Sequence, residues 1–365
     1  MRKERISMQM ILLAMMVVLA SCVGQEQPSP TNSVSEEPVQ EVEGYRVLAD
    51  HLRVPWAIAV AGETFYVTER PGSIVRITPE AQERQEVRLA KPVAARGEGG
   101  LLGFVLAPNF EESRTAYAYH TYEADGGVYN RIVLLREDDG EWKEVRALLE
   151  GIPGSFVHNG GRLAIGPDRH LYAATGDFNE AEEAQHVESL GGKILRMTLE
   201  GEVPDDNPFP GSYVYSYGHR NPQGLAWDSN GQMYSSEHGP SGSPGGHDEI
   251  NRIEAGGNYG WPLFIGDDTE SGFIAPLYHT GPTAIAPSGT AAHEQQLYVA
   301  ALRGEALYRY DLAAGELEPV WQGEGRIRDV LVYEGRIFVI TNNTDGRGQA
   351  GDTDDRLLEL NLEDN

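Results

Sequence analysis

The 365-residue chain is 40% hydrophobic and 8% aromatic, with 43 Gly and 21 Pro. That is enough apolar mass for a buried core, and too many helix breakers for an all-helical bundle. Lys and Arg total 29 against 56 Asp and Glu, a formal net charge of −27, which repels phosphate backbones and excludes nucleic-acid binding through a general basic field. The one Cys excludes an intrachain disulfide framework and any Cys-based zinc or iron–sulfur site.

In chain order, Arg2, Lys3 and Arg5 precede an apolar run from Met8 to Ala20. The run is shorter than a membrane span of about 20 residues and has the layout of a secretory signal. It ends in Leu19-Ala20-Ser21-Cys22, which resembles the bacterial lipobox. This predicts a signal peptide over 1–21, cleavage before Cys22 and lipidation of that residue. Residues 22–43 are Pro-, Ser-, Glu- and Gln-rich and predict a flexible tether. The expected location is extracytoplasmic, with the membrane engaged only through lipid on Cys22.

From residue 44 to 365 the alternation is of strand type, and one cassette recurs. An apolar strand and a short turn lead to a second strand with a central aromatic, then a loop and a third apolar strand. The second strands centre on Tyr66, Tyr117, Tyr172, Tyr234, Tyr298 and Phe338, about 40–64 residues apart. Third strands follow at Ile74–Ile77, Ile132–Leu135, Ile194–Met197, Ile250–Ile253, Leu307–Tyr310 and Leu357–Leu360. Repetition at blade length predicts an all-β, six-bladed β-propeller, because radial packing buries each blade face against a neighbour.

In such a blade, loops entering the first strand and loops joining the second to the third emerge on one face. Those loops carry Gly97-Glu98-Gly99-Gly100, His158-Asn159-Gly160-Gly161-Arg162, His219-Arg220-Asn221, Asp177 to Gly192, Glu237 to Asp248 and Arg326-Ile327-Arg328. Polar groups converging on a rigid scaffold are the usual form of a site. His158 is the candidate for proton transfer near neutral pH, with Asp177 placed to fix its tautomer; a turn residue capping local backbone is the other reading. His219 and His238 fall on the same expected rim. Arg220, Arg303, Arg326 and Arg328 come from different blades and suit a polyanionic small ligand, unless each pairs with a rim Asp or Glu. The Gly- and Pro-rich loop from Ser236 to Glu249 offers carbonyls and carboxylates suited to Ca²⁺, without EF-hand spacing. No Gly-x-Ser-x-Gly elbow, P-loop or dinucleotide fingerprint is present.

Several stretches together resemble the soluble PQQ-dependent glucose and aldose sugar dehydrogenase family. They include Pro55-Trp56-Ala57-Ile58, Gly97 to Phe104, His158 to Asp168, Gly192 to Arg196 and Gly218 to Leu225. Ser236 to Pro240, Asp248 to Asn251, Gly257 to Pro262 and Arg326 to Asp329 complete the set. The resemblance covers about residues 45 to 360 and implies a six-bladed propeller holding PQQ and Ca²⁺ over the channel mouth. It implies His158 as the base toward the sugar's anomeric hydroxyl, Asp177 as its orienting carboxylate and Arg220 beside the reacting quinone carbonyl. Glu98, Asn221, His238, Asp248, Arg303, Arg326 and Arg328 match cofactor contacts. The carbonyls of Gly239 and Pro240 match ligands of the catalytic Ca²⁺, and Glu249 and Tyr259 a second, structural Ca²⁺. The chain departs from the pattern at Arg303, where glucose dehydrogenases have lysine, and at Glu98 and His238, which replace glutamines. These departures favour the broader aldose branch.

The resulting expectation is an aldose dehydrogenase that forms the lactone and passes electrons to an external acceptor; a homodimer is compatible with it. The alternative is a propeller without redox chemistry, either a sugar- or protein-binding module or a Ca²⁺-dependent lactone hydrolase. The hydrolase would need several carboxylates around one metal, and the binder would not need His158 paired with Asp177.

Overall fold

The computed structural model describes residues 41–42, 44–241 and 245–361. The expected signal peptide (1–21), almost all of the expected tether (22–43), Cys22 and positions 242–244 of the Gly-rich loop lie outside the described residues. Among the described residues, helix is confined to two short turns, Phe110–Ser113 and Ala181–Gln185, and none is long and apolar enough to cross a membrane. The fold is all-β.

Every strand expected from the cassettes is present. Three sheets are four-stranded meanders, running Leu163–Ile165 to Val214–Tyr217, Pro222–Trp227 to Tyr278–His279, and Pro287–His293 to Glu316–Gln322. An eight-stranded sheet consists of two further meanders, Pro55–Ala61 to Gln82–Arg88 and Leu101–Leu106 to Glu141–Pro153. Their outer strands meet in parallel at Val87–Trp142 and Arg88–Lys143. Trp142 cores that joint: it is fully buried, meets Tyr66 and Phe104 edge-on at 5.8 and 5.2 Å, and donates from its indole to Gln85 Oε1 at 2.8 Å. Burial of a ring this size contributes about 2–3 kcal/mol, and the bonded indole N–H avoids the cost of an unsatisfied donor.

The last sheet joins the two ends of the chain. Tyr45–Ala49 pairs antiparallel with Leu357–Leu360, which pairs in turn with Arg336–Thr341 and so with Ile327–Tyr333. An N-terminal strand thus completes the C-terminal sheet, a closure that the cassette pattern does not reveal.

The first strands of successive meanders touch in chain order, and the last touches the first. Side chains of one meander also bond the first strand of the next: Thr68 Oγ1 donates to the Leu102 carbonyl at 2.8 Å, Arg162 Nε to the Gln223 carbonyl at 2.7 Å, and Ser236 Oγ to the Ser288 carbonyl at 2.8 Å. Asp329 closes the circle, its Oδ2 accepting from Ile58 N–H at 2.9 Å and from Arg162 Nη1 at 3.0 Å. These first strands surround a polar centre whose one end opens into the cavity described next.

Candidate active site

Two turns place the central pair of side chains. The chain leaves Val157 through His158, whose φ is +55°, and turns at Gly160 (φ +61°) into the strand Leu163–Ile165. A Cβ on Gly160 would meet the Ala174 carbonyl oxygen at 2.5 Å, and one on Gly176 would meet the His158 carbonyl oxygen at 2.0 Å. Glycine at both positions lets the two turns touch. Asp177, just after the strand Leu171–Thr175, therefore sits against the imidazole.

His158 Nδ1 lies 2.7 Å from Asp177 Oδ1. The same carboxylate accepts from Asn179 N–H at 2.9 Å and from the Trp261 indole N–H at 2.8 Å. On the far side of the ring, Arg220 Nη2 is 3.0 Å from Nε2. A guanidinium can only donate, so Nε2 presents its lone pair there and the ring hydrogen sits on Nδ1, toward Asp177. That is the form a general base requires. Arg220 is buried against Trp261, 5.4 Å from its ring centroid, and also donates to the His238 carbonyl at 3.3 Å and Ser241 Oγ at 3.2 Å. Burial lowers its pKa from the ordinary arginine value, partly offset by Asp177, Glu98, Glu237 and Asp248.

This group opens on a cavity of about 630 Å³. Its wall includes His158, Arg220, Glu98, His238, Gly239 and Pro240, together with Asp248 and three more arginines: Arg303, Arg326 and Arg347. Loops from most of the meanders contribute. Asn221 accepts Gly160 N–H on Oδ1 at 3.0 Å, while its buried Nδ2 has no partner. The buried Nε of Arg326 and Nε2 of His238 are likewise without one. Buried polar atoms are nearly always bonded, so this wall is short of partners.

A family model described as Glucose / Sorbosone dehydrogenase matches residues 52–350. The chain belongs to the glucose/sorbosone dehydrogenase family. It is 34% identical to quinoprotein glucose dehydrogenase B of Acinetobacter calcoaceticus, over 64% of this chain and 55% of that one. It is 35% identical to an aldose sugar dehydrogenase of Escherichia coli (strain K12), over 63% of this chain and 64% of that protein. The match thus spans little more than half the length of the first relative and under two thirds of the second. The solved structure of the PQQ-bound aldose sugar dehydrogenase from Streptomyces coelicolor superposes with a TM-score of 0.81 at 41% identity, covering 87% of this chain and 97% of that one.

In this family member the remaining expected residues divide. Arg326 is on the cavity wall, with Nη2 paired to Asp345 at 2.8 Å and Nη1 donating to the Leu302 carbonyl at 3.0 Å. Arg303 is exposed there. Arg328 is not on that wall. It lies beneath, buried, with its guanidinium bonded to Asn342 Oδ1 (3.2 and 3.0 Å), Gln223 Oε1 (2.8 Å) and Ser288 Oγ (3.4 Å). Burial lowers its pKa to about 9. The expectation that all four arginines face one cavity is corrected in part: Arg328, inside the strand Ile327–Tyr333, lines a smaller void that shares Glu98, His238, Leu302 and Arg347 with the cavity. Asp248 is also spoken for: its carboxylate accepts from the backbone N–H of Gly239 (2.9 Å), Ile285 (2.7 Å) and Ala286 (2.8 Å). It shapes the carbonyl-rich loop against its neighbour.

His219 is corrected as well. It is fully buried below the rim, bonded to Glu237 Oε2 at 3.1 Å and Ser216 Oγ at 2.8 Å, and stacked on Tyr259 at 4.6 Å. Next to it Glu237 and Glu249 are buried side by side. Burial pushes Glu237 up to about 8, and burial with the neighbouring Glu237 raises Glu249 well above the usual carboxylate range. The Tyr259 hydroxyl donates to the Arg252 carbonyl at 2.7 Å and accepts Glu254 N–H at 2.8 Å, so its phenol is not free for a ligand. Gly239, Pro240, Glu249 and Tyr259 nevertheless line one small void under the cavity. Among the described residues no cluster of three or more His, Cys, Asp or Glu side chains is arranged to hold a metal ion.

Sequence reasoning quoted Trp261 and Glu237 without assigning them a role, and did not single out Arg347. Trp261 lies within the quoted stretch Gly257 to Pro262, but the spacing of 84 residues to its partner Asp177 leaves no local signal of its role.

Proposed function

We propose that this chain is a PQQ- and Ca²⁺-dependent aldose dehydrogenase built as a six-bladed propeller, oxidising the sugar at C1 to the lactone. The observation that carries the reading is the His158 lone pair held between Asp177 and Arg220 at the wall of an arginine-lined cavity. The residues present suit the cofactor. The unpartnered donors of Asn221 and Arg326 and the cations of Arg220, Arg303 and Arg326 form a donor-rich wall that a planar tricarboxylate would satisfy. They suit a cation too, because the Gly239 and Pro240 backbone and two buried carboxylates converge below it. The meanders, taken in chain order around the closed circle of first strands, are six in number, which supports the blade count.

Within this reading His158 Nε2 takes the proton of the anomeric hydroxyl, and Asp177 steadies the imidazolium that forms. Trp261 and the Asn179 N–H hold the Asp177 carboxylate in place, so the ring does not have to reorient. Arg220, itself buried, holds a fixed positive charge beside the reacting centre, and a charge preorganised in this way is effective. The chemistry that PQQ with Ca²⁺ supplies when bound is acceptance of the C1 hydride by a polarised quinone. Electrons then pass to an external acceptor. The lipobox-like N-terminus supports an extracytoplasmic lipoprotein anchored through Cys22.

The test is dye-linked oxidation of an aldose panel by the purified chain, with and without PQQ and Ca²⁺. Activity appearing only with both, and lost in His158→Ala, is the expected result. No activity over the panel, with PQQ binding undetectable by titration, would overturn the reading and leave a binding module.

A further inference from the structure

Arg347 lies on the loop that follows the strand Arg336–Thr341, and no motif singles it out. That loop is pinned on one side to Arg326. Asn343 Oδ1 accepts Arg326 N–H at 2.9 Å, and Asp345 Oδ2 accepts from Arg326 Nη2 at 2.8 Å. A Cβ on Gly348 would meet Arg326 Cδ at 2.8 Å, so the loop rests directly on that side chain. On its other side the loop reaches a segment 249 positions earlier in the sequence, across the same cavity wall, where Arg347 Nη1 donates to Glu98 Oε1 at 2.9 Å.

Glu98 passes that contact on. Its second oxygen accepts the backbone N–H of His158 at 2.9 Å, and its own N–H donates to the Phe156 carbonyl at 2.8 Å. The two bonds bracket the turn on which His158 sits at φ +55°, a region that a residue with a Cβ occupies when its surroundings hold it there. Burial works to raise the Glu98 pKa, but the His158 N–H, His238 and Arg347 outweigh it and hold the carboxyl at about 2. A glutamine at position 98 would accept the same N–H without a charge. Here the carboxylate brings a negative charge to the wall of a cavity suited to an anionic ligand, and Arg347 is the cation that offsets it.

We propose that Arg347 is a positioning residue for His158 that acts through Glu98, the ion pair holding the carboxylate against the His158 N–H. The inference rests on His158 being the base, but its first readout does not. Arg347 is about half exposed and carries no core packing, so its truncation leaves the fold intact. Removing it leaves Glu98 charged and unpaired, free to turn toward solvent and release the His158 N–H. Removing the charge as well restores a neutral acceptor that has no reason to leave.

The experiment compares the wild-type chain with Arg347→Ala and with Arg347→Ala/Glu98→Gln. Amide hydrogen exchange at His158 is followed by NMR without cofactor, and kcat and KM for an aldose with PQQ and Ca²⁺ added. Expected for Arg347→Ala is about tenfold faster exchange at His158 and about tenfold lower kcat, with KM within about twofold. The double variant is expected to recover at least half of both losses on a logarithmic scale. Unchanged exchange in Arg347→Ala overturns the proposal. So does a change in KM alone, which would make Arg347 a substrate contact, or a double variant no better than the single one, which would route its effect around Glu98. If exchange responds as expected while no variant, including wild type, shows PQQ-dependent oxidation, the linkage stands and the dehydrogenase reading fails.

Discussion

His158 and His219 each bond a carboxylate through Nδ1, to Asp177 at 2.7 Å and to Glu237 at 3.1 Å, and the two pairs behave in opposite ways. Asp177 has two further N–H donors, from Asn179 and Trp261. The His158 ring keeps 14% of its surface open and faces the cavity with Nε2. His219 is sealed, with Nε2 spent on Ser216. Burial lowers it to about 3 and lifts Glu237 to about 8, so that both members are neutral at neutral pH. Residue type alone therefore does not make a base. What separates the pairs is that the second nitrogen of His219 is spent on a hydroxyl in a sealed layer, whereas that of His158 meets Arg220 at the wall of the cavity, where a substrate hydroxyl can reach it.

The contrast can be broken most sharply at Asp177. Asp177→Ala should lower kcat by about 10²–10³ while the sugar KM moves little, because the ring loses its orientation rather than its place. Steady-state dye-linked kinetics read this, and a loss smaller than tenfold would mean that the upper pair is as inert as the lower.

The lower pair makes its own prediction. The folded-state pKa of Glu237 is about 8, against about 4.3 for an unfolded glutamate, so the folded chain binds the proton more tightly. The sign follows: stability is undiminished below about pH 4 and falls as pH rises toward 8. In Ca²⁺-free buffer the Tm should drop by several degrees between pH 5 and pH 8, and added Ca²⁺ should raise it more at pH 8 than at pH 5. Scanning calorimetry at the two pH values decides it; an equal gain at both would separate Glu237 and Glu249 from any cation. A smaller effect is expected at Trp261. Trp261→Phe removes one N–H from Asp177 and should lower kcat by about three- to tenfold with KM unchanged, and no change would show that the Asn179 N–H suffices.

Much of the fold was legible because strand alternation and turn residues are local properties. Tyr66, Tyr117, Tyr172, Tyr234, Tyr298 and Phe338 mark second strands wherever they occur, and each lies in one. That His158, Asp177 and Arg220 come together was legible too, since their loops open in the same direction from equivalent strand ends. The pairing of Tyr45–Ala49 with Leu357–Leu360 was not, because it joins segments about 310 residues apart and either strand could close a sheet alone.

What the sequence determined by itself is the repeating strand cassette, the acidic surface, the one Cys at the lipobox-like position and the cluster of polar loops. Each follows from short-range order or from composition. Tertiary structure alone decided that Arg328 sits below the mouth while Arg347 joins it, and that Asp248 spends its carboxylate on backbone. It also decided that His219 lies in a sealed layer while His158 meets the cavity. These outcomes depend on which groups burial brings within about 3 Å of one another, and hydrogen bonds between residues 60 or more positions apart leave no trace in local sequence.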